Sequence, residues 1–87
     1  MIIKKLIWDG WNIEHIARHN VTTEEVEEVC NSRNLFERGR DRTYQITGQT
    51  QSGRYLTIIV VPSSNGFYPV TARDADDKER RRFKKKS

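Results

Sequence analysis

Tyr55-Leu56-Thr57-Ile58-Ile59-Val60-Val61 is apolar almost throughout and rich in β-branched residues. A run of this kind reads as a central strand covered on both faces. The chain must therefore build a sheet with other structure packed on either side. Its 87 residues allow one domain, with residues 1–87 as a single unit. Hydrophobic residues make up 34% and charged residues 32%, which suffices for one thin core of a sheet against helices. So small a domain buries a modest share of its surface, and its stability is modest too.

Turn signals bracket the central run. Gln51-Ser52-Gly53 joins it to a strand over Thr43 to Thr50, and Gly39-Arg40-Asp41-Arg42 joins that strand to Leu35-Phe36-Glu37-Arg38. On the other side, Pro62 to Gly66 turns the chain into a strand from Phe67 to Arg73. Tyr68, Val70 and Ala72 alternate there with Phe67, Pro69, Thr71 and Arg73, so Arg73 is expected to leave from the face opposite Ala72. The result is an antiparallel meander.

Helices flank it. Asp9 caps a first helix over Gly10 to about His19, with Ile13, Ile16 and Ala17 as its apolar stripe and Asn20 as a left-handed C-cap. Thr22 and Glu25 form a capping box for a second helix, stapled by Val21 and Val26. Val26, Val29 and Cys30 face inward there, and Glu24, Glu25, Glu27 and Glu28 form a solvated face. At the C-terminus Asp74 is the expected N-cap of a charged helix, with Asp76 and Asp77 at its positive dipole end and Arg80 to Lys86 at its negative end. Its tail frays from about residue 84. Ile2 to Trp8 is β-prone and reads as an edge strand. The fold class is α+β, in the order β-α-α-β-β-β-β-α.

No apolar run approaches the roughly 20 residues of a membrane span. The apolar start at Met1-Ile2-Ile3 is too short for a secretory signal. One cysteine excludes an internal disulfide framework and points to a reducing, cytoplasmic setting. The net charge of +4 is unevenly spread. Residues 1–32 carry three basic and six acidic side chains, residues 33–72 five and two, and residues 73–87 eight and four. The basic second half suits a nucleic acid or an acidic protein partner.

Several chemistries can be weighed against these residues. His15 and His19 have the i, i+4 spacing of helical zinc ligands, but Ile16 stands where the glutamate of a metalloprotease motif belongs, and no further cluster completes a site. Cys30 has no histidine partner in sequence, and no phosphate-cradling glycine loop occurs. RNA cleavage fits the residue types better. RNA supplies its own 2′-hydroxyl nucleophile, so no metal or other cofactor is needed. Histidine transfers protons near neutral pH, and arginines stabilise charge on phosphorus. The available groups include His15, His19, Arg38, Arg40, Arg42, Tyr44, Tyr55 and Arg73. A fixed Arg73 suits a phosphate through its planar fork, and a surface pair with Asp76 or Asp77 is the competing reading.

Two segments together carry a family resemblance. Trp8-Asp9-x-x-Asn12-x-x-His15-Ile16-x-x-His19-x-Val21 precedes an acidic helix, and Ala72-Arg73-Asp74-Ala75 is followed by Glu79-Arg80-Arg81. In order and spacing the chain resembles the BrnT family of toxins, from about Leu6 to Phe83. The resemblance implies a RelE-like fold and a metal-independent endoribonuclease that cleaves mRNA, free or on the ribosome, and arrests translation. It also implies a type II toxin–antitoxin pair whose antitoxin is a DNA-binding protein of the ribbon-helix-helix type. A face left uncovered without antitoxin would allow the free toxin to dimerise. Carried over by position, the family's helix histidine falls on His19, with His15 beside it, and the arginine of its Ala-Arg pattern on Arg73. Arg38, Arg40 and Arg54 are the RNA-binding candidates, joined by Tyr55. The chain departs from the family at Asn20, where glycine is common, and at Trp11 and His15. The alternative is therefore a non-catalytic module of the same fold whose basic face binds an antitoxin or nucleic acid.

Overall fold

A computed structural model describes residues 5–86. Its elements are α1 (Gly10–Ala17), α2 (Thr23–Cys30), β1 (Asn34–Arg38), β2 (Tyr44–Gln49), β3 (Tyr55–Ser63), β4 (Gly66–Asp74) and α3 (Asp77–Lys85). The four strands form one antiparallel sheet in the order β1-β2-β3-β4. This is the expected α+β meander with helices before and after it. The N-terminal strand is only partly testable, because Ile2, Ile3 and Lys4 lie outside the described residues. What is described is a single parallel bridge, Leu6 to Phe67. There Ile7 N–H donates to the Phe67 carbonyl at 2.9 Å, and Phe67 N–H to the Lys5 carbonyl at 3.1 Å. This approach needs Gly66, since a Cβ at that position would sit 2.5 Å from the Lys5 carbonyl oxygen.

The two sheet faces are built differently. On one face Ile16, Val21, Val26, Val29 and Cys30 pack on Ile46, Leu56, Ile58, Val60 and Ala72. These side chains are fully or almost fully buried, each large aliphatic one contributing about 1.5–3 kcal/mol. The other face carries Thr47 and Thr57, both buried, and is covered by α3 through Glu79 and Phe83.

All three helices start on a reciprocal capping box. Asp9 pairs with Asn12 and Thr22 with Glu25, at the two starts read from the sequence. The third box is Asp76 with Glu79. Asp74 was the expected cap and is not it. β4 continues through Asp74, which pairs with Leu56, and Ala75 N–H still donates to the Tyr55 carbonyl. α3 also runs through Lys85, past the point where fraying was expected.

Two further expectations give way to tertiary structure. The simple alternation along β4 is broken by a bulge. Val60 pairs with Pro69 and Ile59 with Thr71, leaving Val70 as the extra residue. Phe67 and Pro69 thereby join Ala72 against the core, while Arg73 keeps its predicted side. In α1 the stripe of Ile13, Ile16 and Ala17 reduces to Ile16 alone, with Ile13 44% exposed. The second inward position belongs to Asn12. Its Nδ2 donates to the carbonyls of Ile7 (2.9 Å) and Pro69 (3.0 Å), and its Oδ1 accepts from Asp9 N–H (2.9 Å). Pro69 has no N–H to offer, and its carbonyl is satisfied by this side chain.

Asn12→Ala should therefore unfold more readily than the wild type. It leaves two carbonyls near the core without a donor, so a loss of about 2–3 kcal/mol is expected in urea unfolding. Ile13→Ala, on the same helix, should change stability by less than about 0.5 kcal/mol.

Candidate nucleic-acid interface

The polar face of the sheet converges on one carboxylate. Glu79 is 5% exposed, and no solvent shell compensates its charge. Arg73 donates to it bidentately, Nη1 to Oε1 and Nη2 to Oε2, both at 2.8 Å. Thr57 Oγ1 donates at 2.9 Å, Asp76 N–H at 2.9 Å and Gln45 Nε2 at 3.3 Å. The Arg73 guanidinium above all, with these donors, holds the Glu79 carboxyl down at about 2. Glu79 in turn raises the Arg73 pKa, so the guanidinium stays charged. Arg73 is thus paired, but with Glu79 rather than with Asp76 or Asp77.

The pair uses only one edge of the Arg73 fork. Nη1 also donates to the Asp74 carbonyl at 3.2 Å. Nε has no acceptor among the described residues, and the side chain remains 42% exposed. The outer Nε/Nη2 edge is therefore presented to solvent in a fixed orientation. Tyr55 lies on the same face, two residues along β3 from Thr57, the partner of Arg73. The Arg80 guanidinium sits 4.6 Å and the Lys84 ammonium 5.3 Å from the centre of its ring. Phe83 meets the Tyr55 ring edge-on and carries Arg33 over its own ring at 4.5 Å. Arg73, Arg80, Lys84 and Tyr55 form one cationic and aromatic surface.

The histidines are elsewhere. His15 stacks on Trp11 with ring centres 4.8 Å apart, and His19 meets His15 edge-on at 6.0 Å. This row runs along α1, which packs against the face bearing Ala72, while Arg73 points to α3 on the other face. The fold brings His15 and His19 together and separates both from Arg73. Trp11, 57% exposed, heads the row.

Arg54 is a structural tie. Its Nε donates to Asp74 at 2.8 Å, Nη1 to the Asn20 carbonyl at 2.6 Å and to Glu25 at 3.1 Å, and Nη2 to the His19 carbonyl at 3.3 Å. The Asp74 carboxylate first, and then that of Glu25, raise its pKa. The expected phosphate contact has no free fork to use. Asn20 takes the left-handed conformation read from the sequence, with φ of 58°, which turns its carbonyl to Arg54.

Arg38 and Arg40 are exposed at the β1–β2 hairpin, away from Arg73. The glutamates of α2 are less solvated than expected. Glu25 pairs with Arg54, Glu27 accepts the Trp8 indole N–H at 2.9 Å, and Glu28 accepts Gln51 N–H at 3.2 Å. Glu24, Glu27 and Glu28 border, with Trp8, a cavity of about 610 Å³ whose charge repels a phosphate. Cys30 is a core residue as expected, and burial pushes its thiol up to about 12. Among the described residues no three His, Cys, Asp or Glu side chains gather to hold a metal ion, and no helix is long and apolar enough to cross a membrane.

Glu79, Arg80 and Lys84 were not read as site residues. The signal for Glu79 was present, since Asp76-x-x-Glu79 is a capping-box spacing, but its tie to Arg73 requires the sheet. Comparison of the chain with protein-family models, with curated proteins and with solved structures returned no match to any of them.

Glu79 makes stability depend on pH with a definite sign. Its ordinary value of 4.5 falls to about 2 in the folded chain. The carboxylate is therefore stabilising above pH 4.5, and this contribution is lost as pH falls towards 2. It amounts to about 2–3 kcal/mol, allowing for solvent at Arg73. Thermal unfolding followed from pH 6 to pH 2 should show a steep loss of stability in that window, and Glu79→Gln should flatten it.

Proposed function

We propose that this chain is an RNA-directed toxin of a type II toxin–antitoxin pair, with a RelE-like fold and a metal-independent endoribonuclease activity. The observation that carries the reading is the outer edge of Arg73, held by Glu79 and flanked by Arg80, Lys84 and Tyr55. A fixed fork beside two further cations fits a scissile phosphodiester and the charge that grows on it during in-line attack by the 2′-hydroxyl. The resemblance of the Trp8–Val21 and Ala72–Arg81 segments to BrnT toxins supports the same reading, as does the order of two helices, a four-stranded meander and a basic helix. The partner it implies is a ribbon-helix-helix antitoxin.

This placement reassigns the histidines. Because His15 and His19 lie across the sheet from Arg73, they are not its proton-transfer partners. On the α3 face Tyr55, with the Lys84 ammonium 5.3 Å from its ring centre, takes the proton-transfer role in this reading. The separation also favours the second reading, a binding module of the same fold without catalysis.

Expression in a bacterial host decides between them. Arg73→Ala would strand the buried Glu79 charge, so Arg73→Lys is the better variant: it keeps the charge and removes the outer bidentate edge. If the first reading holds, wild type stops growth and cleaves message, and folded Arg73→Lys loses on the order of a hundredfold in cleavage. His19→Ala should stay within a few-fold of wild type. A folded wild type that leaves growth and mRNA intact would sink the ribonuclease reading and leave the binding module.

A further inference from the structure

Two sets of arginines in this protein contrast. Arg18, Arg54, Arg73 and Arg82 each pair with a carboxylate. Arg38, Arg40 and Arg42 make no ion pair among the described residues. They stand at alternate positions where β1 turns towards β2. Thr43 N–H donates to the Arg40 carbonyl at 3.0 Å across a turn whose two central residues are both left-handed, Asp41 at φ 53° and Arg42 at φ 67°. This is a type I′ turn, which matches the twist of a hairpin. Asp41 tolerates that conformation. Arg42 does so less well, because a left-handed L-residue costs about 1–2 kcal/mol unless its side chain relieves it locally. Strain of this kind is a pointer to function.

The turn aims Arg42 at a groove. Arg38, Arg42, Thr43, Tyr44 and Pro62 line a cavity of about 380 Å³. A second cavity, of about 400 Å³, lies across Arg42 and Pro62 and is lined also by Asp41 and Val61. The Tyr44 ring is fixed, stacked on Phe36 at 5.0 Å and meeting Phe67 edge-on at 6.0 Å. The first groove therefore combines two arginine forks with a rigid ring and a proline. The one carboxylate at the tip, Asp41, lines the other side.

We propose that this hairpin tip is a second anchor for single-stranded RNA. Arg38 and Arg42 clamp one phosphodiester, and Tyr44 and Pro62 receive the adjoining sugar and base. The inference rests on the RNA-directed reading above and adds a contact that Arg73 does not make. The Arg38–Tyr44–Val60 row lies three residues along from the Thr57–Arg73 pair, roughly 10 Å at the strand rise, and on the opposite face. RNA fits better than an acidic protein. Two forks lining one groove match a phosphate, and the Tyr44 ring and Pro62 beside them suit the base and sugar of a nucleotide, which an aspartate or glutamate side chain would leave uncovered.

The test is binding of a short, uncleavable 2′-O-methyl single-stranded oligoribonucleotide across a salt series. For single strands each phosphate neutralised contributes about 0.7 to the slope of log affinity against log salt. The double variant Arg38→Gln, Arg42→Asn should lower that slope by at least about 0.7. Asparagine is chosen because it accepts the left-handed conformation. Arg38→Lys with Arg42→Lys should keep the slope, which separates lost charge from lost fold. If the slope of the double variant equals that of wild type while Arg73→Lys weakens binding, the anchor is wrong and the RNA reading survives. No binding by wild type overturns both. Unchanged oligonucleotide binding with lost binding to polyglutamate assigns the tip to an acidic protein and overturns the RNA anchor.

Discussion

The second layer of this fold hangs on one buried carboxylate. Glu79 receives donors from β2 (Gln45), β3 (Thr57), β4 (Arg73) and its own N-cap residue Asp76. A buried charge is tolerated only when paired and hydrogen-bonded, and removing one partner is far costlier than never having had the pair. The two sheet faces therefore follow different physics. The α1/α2 face is held by apolar burial around Ile16, Val26 and Ile58. The α3 face has only Phe83 as a buried apolar anchor on the helix, so direction-dependent hydrogen bonds fix where α3 lies. That is what puts Arg80 and Lys84 over Tyr55.

Several residues of the Trp8–Val21 and Ala72–Arg81 segments are framework residues. Asp9 and Asn12 cap α1, and Asn12 ties it to the Ile7 and Pro69 carbonyls. Trp8 is hydrogen-bonded to Glu27 on α2. Arg73 and Glu79 join β4 to α3. These contacts are what this architecture needs in order to close, so these residues speak first to fold. Function has to be argued from the surfaces those residues create. Arg73 alone belongs to both arguments, because its inner edge is structural and its outer edge is open.

Local rules were legible and long-range ones were not. The Thr22/Glu25 box, the left-handed Asn20 and the meander of strands depend on neighbours within a few positions, and the structure has them. The cap of α3 is Asp76 and not Asp74 because β3 keeps pairing with β4 to its end; the Asp76-x-x-Glu79 spacing was a local signal for it, but where the strand ends is set by pairing. The Val70 bulge is equally silent, since a single alternating run fits the residues as well as two runs out of phase. Ile13 was misplaced because the rule for amphipathic helices counts apolar residues, whereas Asn12 earned the inward position by satisfying two carbonyls. For the candidate site, Arg73 and Tyr55 were legible as residue types on a strand. That Arg54 would be consumed by Asp74, Glu25 and two carbonyls, and that the histidines would face away from Arg73, follows only from which face each element covers.

The Arg73–Glu79 pair also constrains how the α3 face can attract an anion. Paired at 2.8 Å, the two groups are close to neutral when seen from a distance. An approaching phosphate is therefore drawn mainly by Arg80 and Lys84, whose charges lie over an aromatic ring. Arg73 acts at short range, where its exposed Nε and Nη2 offer direction that a freely rotating lysine lacks. Attraction and orientation are thus divided between α3 and β4, and Glu79, which positions both, links the stability of the fold to the geometry of the surface.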